Sequence, residues 1–171
     1  MFRVTGIILA FLASSLIGFM KSNEIKKRKT LLEDFRELTE LISTRIGYFK
    51  EPLPVVFYGL LSETEGEIRS LLENCLMSYE MGQKDINTVW NTAVETVYGN
   101  EPLSDDDLRV LSKCGQFLGQ SDYDNQIKHF SLLNRQLDRQ IEDSIEQIRT
   151  KGKMYSRMGV SLGALIAIAL I

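Results

Sequence analysis

Four groups of residues in this sequence are of types that do chemistry. Asp105, Asp106 and Asp107 are adjacent carboxylates of the kind that hold divalent cations, and His129 is the only histidine, the side chain best suited to exchanging protons near neutrality. Cys75 and Cys114 could be nucleophiles or soft metal ligands, and Glu63, Glu65 and Glu67 crowd around Gly66. Spacing argues against each. Consecutive helical residues point about 100° apart, so three neighbouring aspartates cannot converge on one ion. Behind the capping residue Ser104 they instead fill a first helical turn, where negative charge meets the positive end of the dipole. His129, beside Lys128 and Asn125, reads as a solvated surface residue, and the glutamates read as a solvated loop. The two cysteines lie on apolar helical faces without metal-ligand spacing and read as buried thiols. No phosphate-binding glycine loop, HExxH, paired CxxC or GxSxG occurs. We therefore expect no catalytic residue, cofactor or metal site.

A more specific pattern is Leu111-x-x-x-Gly115-x-x-Leu118-Gly119-x-x-Asp122-x-x-x-Gln126. It describes a helix ending at Gly119, a short turn, a second helix capped by Asp122, and Gln126 facing back to the turn. Its residues are candidates for a structural or interaction role.

The elements that would position these residues are helical almost throughout. Leu31, Phe35, Leu38, Ile42 and Ile46 recur every three or four residues and predict a first helix running to about Tyr48, where Pro52 and Pro54 stop it. Pro54 can open a short helix through Leu61. Ile68 to Tyr79 predicts a third, stopped at Gly82; Asp85 caps a fourth through Val97, closed by Gly99; and Ser104 starts a fifth, ending at Gly119. From Ser121 or Asp122 a sixth carries Ile127, Phe130, Leu133, Leu137, Ile141, Ile145 and Ile148. Nothing forces a break before the chain ends, and Gly152 is the one weak point.

Of the 171 residues 44% are hydrophobic, and the net charge is -3, but these averages conceal unlike parts. Val4 to Met20 is a run of 17 uncharged residues, and Met158 to Ile171 is another of 14. The first is about 25 Å long as a helix, at the short end of a membrane span; the second reaches a usable length if Met154 and Tyr155 join it and Arg157 snorkels. Gly159 and Gly163 give it a small-xxx-small face for packing against another membrane helix. Lys21 to Lys29 carries +4, and Lys151, Lys153 and Arg157 add +3, whereas residues 30–150 hold 11 basic and 22 acidic residues for a net -11. Basic collars beside both apolar ends place the middle in the cytoplasm by the positive-inside rule. The expected organisation is a two-pass protein: a transmembrane segment over 1–20, a cytoplasmic helical domain over 21–153 and a second transmembrane segment over 154–171. Nucleic acid is excluded as a partner, since the acidic domain repels phosphates.

The sequence resembles the stage III sporulation protein AB family of endospore-forming bacteria. The resemblance runs the length of the chain. It rests on the membrane segment and basic collar, Ile46-Gly-Tyr48 followed by Pro52-Leu53, Trp90, the Gly115 to Gln126 pattern, and Lys151, Tyr155, Gly159 and Gly163 before the terminal apolar run. Cys114 stands where the family usually has an aromatic, a departure that bears on packing. The resemblance implies an all-α fold, a cytoplasmic bundle of about six helices like the type II secretion F domain between two transmembrane helices. It also implies a place in the mother-cell membrane facing the forespore. The function implied is that of a non-enzymatic platform in the channel complex joining mother cell and forespore. The implied partners are the ATPase of that complex, stage III sporulation protein AA, other channel components, and further copies of the chain itself. The competing readings are a membrane-tethered enzyme or regulator, which would need His129, Cys75 or an acidic pair gathered in one pocket, and a helical anchor of another cell-envelope complex.

Overall fold

A computed structural model describes residues 2–119, 123–152, 154, 158 and 161. Among these the chain is all helical: α1 (Phe2–Thr44), α2 (Leu53–Leu61), α3 (Gly66–Glu80), α4 (Ile86–Tyr98), α5 (Asp105–Phe117) and α6 (Tyr123–Gln147). Five-residue π-helical turns, Arg45–Phe49 and Ile148–Gly152, follow α1 and α6. The predicted end of the first helix near Tyr48 and the weak point at Gly152 thus both fall in π geometry, where one residue more than an α-turn is accommodated.

Local chemistry explains most helix boundaries. Pro52 is extended and Pro54 sits in the first turn of α2, where a missing N–H removes no helical bond. Asp85 accepts from the Thr88 N–H at 3.2 Å and caps α4. Ser104 and Asp107 form a reciprocal capping box: the Ser104 N–H donates to the Asp107 carboxylate at 2.8 Å, and the Asp107 N–H donates to the Ser104 hydroxyl at 3.2 Å. Each such cap contributes about 1 kcal/mol. After α3, Gly82 takes φ +91°, and after α5, Gly119 takes φ +80°, the left-handed geometry that lets the chain turn away. Gly99 behaves differently from expectation. It keeps right-handed helical φ of -61°, so α4 simply runs out there. Gly66 and Glu67, expected in the loop, are instead the opening residues of α3.

The chain divides into two compact units, Thr30–Ile141 and Met1–Lys29 with Glu142–Ile171. The core of the first is aromatic at its centre. Trp90 and Tyr98 from α4 meet Phe35 from α1 edge-on, at centroid distances of 6.0 and 6.3 Å, and Phe57 from α2 lies 6.2 Å from Trp90. Leu32, Leu38, Leu71, Leu72, Leu111 and Leu137 surround them, all fully buried. Two polar contacts fix α1 against α6 within this unit: Arg36 Nε donates to Asp138 at 2.5 Å, and the buried Thr39 hydroxyl donates to the Asn134 side-chain oxygen at 2.5 Å.

In the second unit, Arg28, almost wholly buried, donates to Asp143 at 3.2 Å, and Gly152 packs beside Ser22. Leu16, Ile17, Phe19, Met20, Met154 and Met158 leave large apolar side chains exposed there. Among the described residues no helix is long and apolar enough to cross a membrane. The expected second segment, 154–171, lies outside the described residues except at 154, 158 and 161.

Candidate functional site

The glycine-bearing pattern of the sequence is built around the junction of α5 and α6. Gly115, buried on α5, sits against Trp90: a β-carbon at this glycine would stand 2.9 Å from Trp90 Cβ, 3.0 Å from Trp90 Cδ1 and 3.1 Å from Asn87 Oδ1. No side chain fits without displacing the indole. Trp90 is held from the other direction too, its ring N–H donating to the Leu111 carbonyl at 3.0 Å. Gly119 serves both conformation and space, because a β-carbon there would come within 2.9 Å of Ile86 Cγ2.

Gln126, 2% exposed, reaches back across the turn, and its amide N–H donates to the Phe117 carbonyl at 2.8 Å. That carbonyl belongs to the last turn of α5 and has no intrahelical donor of its own, so the glutamine acts as a tertiary C-cap. Its side-chain oxygen is buried with no hydrogen-bond partner among the described residues. Gly115, Gly119 and Gln126 are therefore gathered at one joint. Asp122 lies outside the described residues, as do Gly159 and Gly163, so their expected roles as cap and packing face have no geometry here.

His129 departs from its expected solvated setting. It is half-buried and stacks on Phe117, with centroids 4.4 Å apart and planes 3° from parallel. Its partner on α5 is not inferable from the polar neighbours that surround it in sequence. Asn87, which closes over Gly115, was likewise without a sequence signal, since its proximity comes from the packing of α4 on α5.

Beside the joint lies an apolar cavity of about 230 Å³, walled by Leu53, Phe57, Leu76, Tyr79, Ile86 and Val89, and reaching Cys75 and Gly119. Neither a histidine nor a carboxylate lines it. Burial pushes the Cys75 thiol up to about 12 and the Cys114 thiol well above its ordinary value, Cys75 adding to the second. Thiols so shifted are poor nucleophiles. Two of the three aspartates are occupied in the helix start: Asp107 in the capping box and Asp106 with Arg109. Among the described residues no group of three histidine, cysteine or acidic side chains is placed to hold a metal ion. Among the described residues the arrangement is a helical joint with an apolar cavity beside it, and no nucleophile and base are brought together there.

Comparison with known proteins gives two findings. A family model described as Stage III sporulation protein AB (spore_III_AB) matches residues 3–171. A solved structure of Stage III sporulation protein AB (SpoIIIAB) superposes with a TM-score of 0.65 at 20% identity, covering 71% of this chain and 96% of its own, a likeness that speaks to the fold. No curated protein matches.

Proposed function

The chain belongs to the stage III sporulation protein AB family, with a role in sporulation, and we propose that within it the protein is a non-catalytic membrane platform of the mother cell to forespore channel, docking the ATPase of that complex. The observation that carries the membrane part is the surface next to the basic collars. Leu16, Ile17, Phe19 and Met20 are all more than half exposed immediately before Lys21–Lys29. Apolar surface beside lysines and arginines matches the boundary of an anionic leaflet. The docking part is supported by charge: residues 30–150 carry -11 and offer a basic partner a long-range attraction. In this reading the bundle, of the type II secretion F kind, is cytoplasmic, 1–20 and 154–171 cross the membrane, and Gly159 and Gly163 pack against a neighbouring membrane helix.

Two experiments test it. Full-length protein in detergent should retain the purified ATPase, stage III sporulation protein AA, at low salt and release it as salt rises; no retention at any salt refutes docking. Replacing Gly159 and Gly163 together by leucine should block assembly of the channel while the helical core keeps its melting temperature, and normal sporulation in that variant refutes the packing role.

A further inference from the structure

The apolar cavity beside the α5–α6 joint has no part in the function proposed above, and its lining combines two kinds of surface. Leu53 and Phe57 of α2, Leu76 of α3, and Ile86 and Val89 of α4 wall its volume of about 230 Å³, and the exposed Gln83 and Lys84 complete the lining. The backbone holds that polar pair in place. Around the left-handed Gly82, the Gly82 N–H donates to the Tyr79 carbonyl at 3.0 Å and the Gln83 N–H to the Ser78 carbonyl at 3.1 Å. This pair of bonds closes α3 and fixes the direction of the chain that leaves it. The wall is equally set: a β-carbon at Gly119 would stand 2.9 Å from Ile86 Cγ2 and 3.9 Å from Leu53 Cδ1, so only glycine lets these two side chains lie as they do.

Lys84 lacks a counter-charge, although residues 30–150 carry a net -11. The acidic residues nearest to it in sequence are engaged elsewhere. Glu80 accepts from the Tyr58 hydroxyl, and Asp85 caps α4, accepting from the Thr88 N–H at 3.2 Å and from the Thr88 hydroxyl. Among the described residues Lys84 pairs with no carboxylate and the Gln83 side-chain amide makes no hydrogen bond. An ammonium and an amide N–H, both uncommitted, therefore border a cavity whose walls are hydrocarbon.

Size and charge together define what fits. An apolar cavity of about 150 Å³ is enough to hold benzene, so this one has room for a fused pair of aromatic rings or a short acyl chain. A plain hydrocarbon would leave both polar groups unused, whereas a carboxylate on its edge accepts from both, and the bond from the ammonium is charge-assisted. We infer that this cavity is a binding site for a small carboxylic acid with an apolar body, its hydrocarbon against Phe57, Leu76 and Val89 and its carboxylate on Lys84 and Gln83. The site does not depend on the platform reading, and either can fail without the other.

A charged probe and its neutral twin test this. The full-length protein in detergent is titrated calorimetrically with 2-naphthoate and with 2-naphthamide, which has the same rings without the charge. The Val89→Phe variant, whose larger side chain fills the cavity, serves as the blank for uptake by the micelle. The parent should bind both probes above that blank and favour the acid about fivefold; Lys84→Gln should bring acid and amide within about twofold of each other while leaving the amide's affinity unchanged. Lys84 is an exposed loop residue, so this variant should melt with the parent and its result stands even if Val89→Phe folds poorly, in which case the micelle alone is the blank. Equal affinity for acid and amide, or a preference that survives in Lys84→Gln, overturns the assignment of an acid. A flat titration of the parent overturns the site; joined to failed complex assembly in a folded Val89→Phe variant, it gives the cavity to a partner's side chain instead.

Discussion

Trp90 is held to α5 at two points one helical turn apart: its ring N–H bonds to the Leu111 carbonyl, and its side-chain carbons fill the space over Gly115. The indole is thus both a hydrogen-bond anchor and a template for the glycine. Gly115→Ala should destabilise the full-length protein by about 2 kcal/mol through overpacking, and Trp90→Leu by about 3 kcal/mol through lost volume and a stranded carbonyl. The two changes should be less than additive in thermal melts, since shortening the indole makes room for the methyl. Full additivity would mean that Gly115 is present for some other reason.

Gln126 gives a second, independent reading of the same joint. Gln126→Ala removes the donor to Phe117 and should cost about 1–2 kcal/mol, with amide exchange accelerating first in the last turn of α5. Gln126→Glu keeps the shape but puts acceptors where the N–H was, so it should be worse than alanine at neutral pH and recover in acid as the carboxyl protonates.

The thiols supply a third expectation. With Cys75 raised to about 12 and Cys114 raised well above its ordinary value, both by burial, neither should react with a disulfide reagent at pH 8 in the folded protein, and both should react on unfolding. Rapid labelling under native conditions would contradict the burial of these groups.

A fourth concerns acid. Asp34 lies on an exposed side of α1, yet its folded-state value lies above its unfolded value of 3.8, through partial desolvation first and then Glu37, Glu67 and Glu33. A group raised on folding contributes stability below its unfolded value and loses that contribution as pH rises through the folded value. Asp34→Asn should therefore raise the melting temperature at neutral pH slightly, by no more than about a degree because solvent screens an exposed carboxylate, with the gain fading below about pH 4. A variant that melts lower at pH 7 would show that the carboxylate is compensated in the free protein.

Features that depend on near neighbours were legible in the residues, and those that depend on distant ones were not. Asp85, Ser104 and Gly82 act within a few positions of themselves, and each stands at a helix end as its type requires. The turn at Gly119 and the return of Gln126 were likewise readable, because a left-handed stop followed by a polar residue inside the next helix leaves few arrangements. The purpose of Gly115 was not, since it is set by Trp90, which lies on another helix. His129 was misread for the same reason: the ring of Phe117 that covers it comes from across the turn. Arg36 with Asp138 and Thr39 with Asn134 join residues far apart in sequence, and period alone cannot register one helix against another. Glu63, Glu65 and Glu67 read as a solvated loop because they are near neighbours, whereas Asp34 and Glu37, which line one cleft with them, reach them only through folding.

The π-helical turns at Arg45–Phe49 and Ile148–Gly152 bear on how this chain can change length. Each holds one residue beyond what an α-turn would use, so deleting a residue inside it can restore ordinary helical winding instead of breaking the helix. A deletion in the interior of α1 or α6 has no such refuge and would swing every following side chain by about 100°. A residue can therefore be lost at either turn without rotating the faces of α1 or α6, which lie wholly before it.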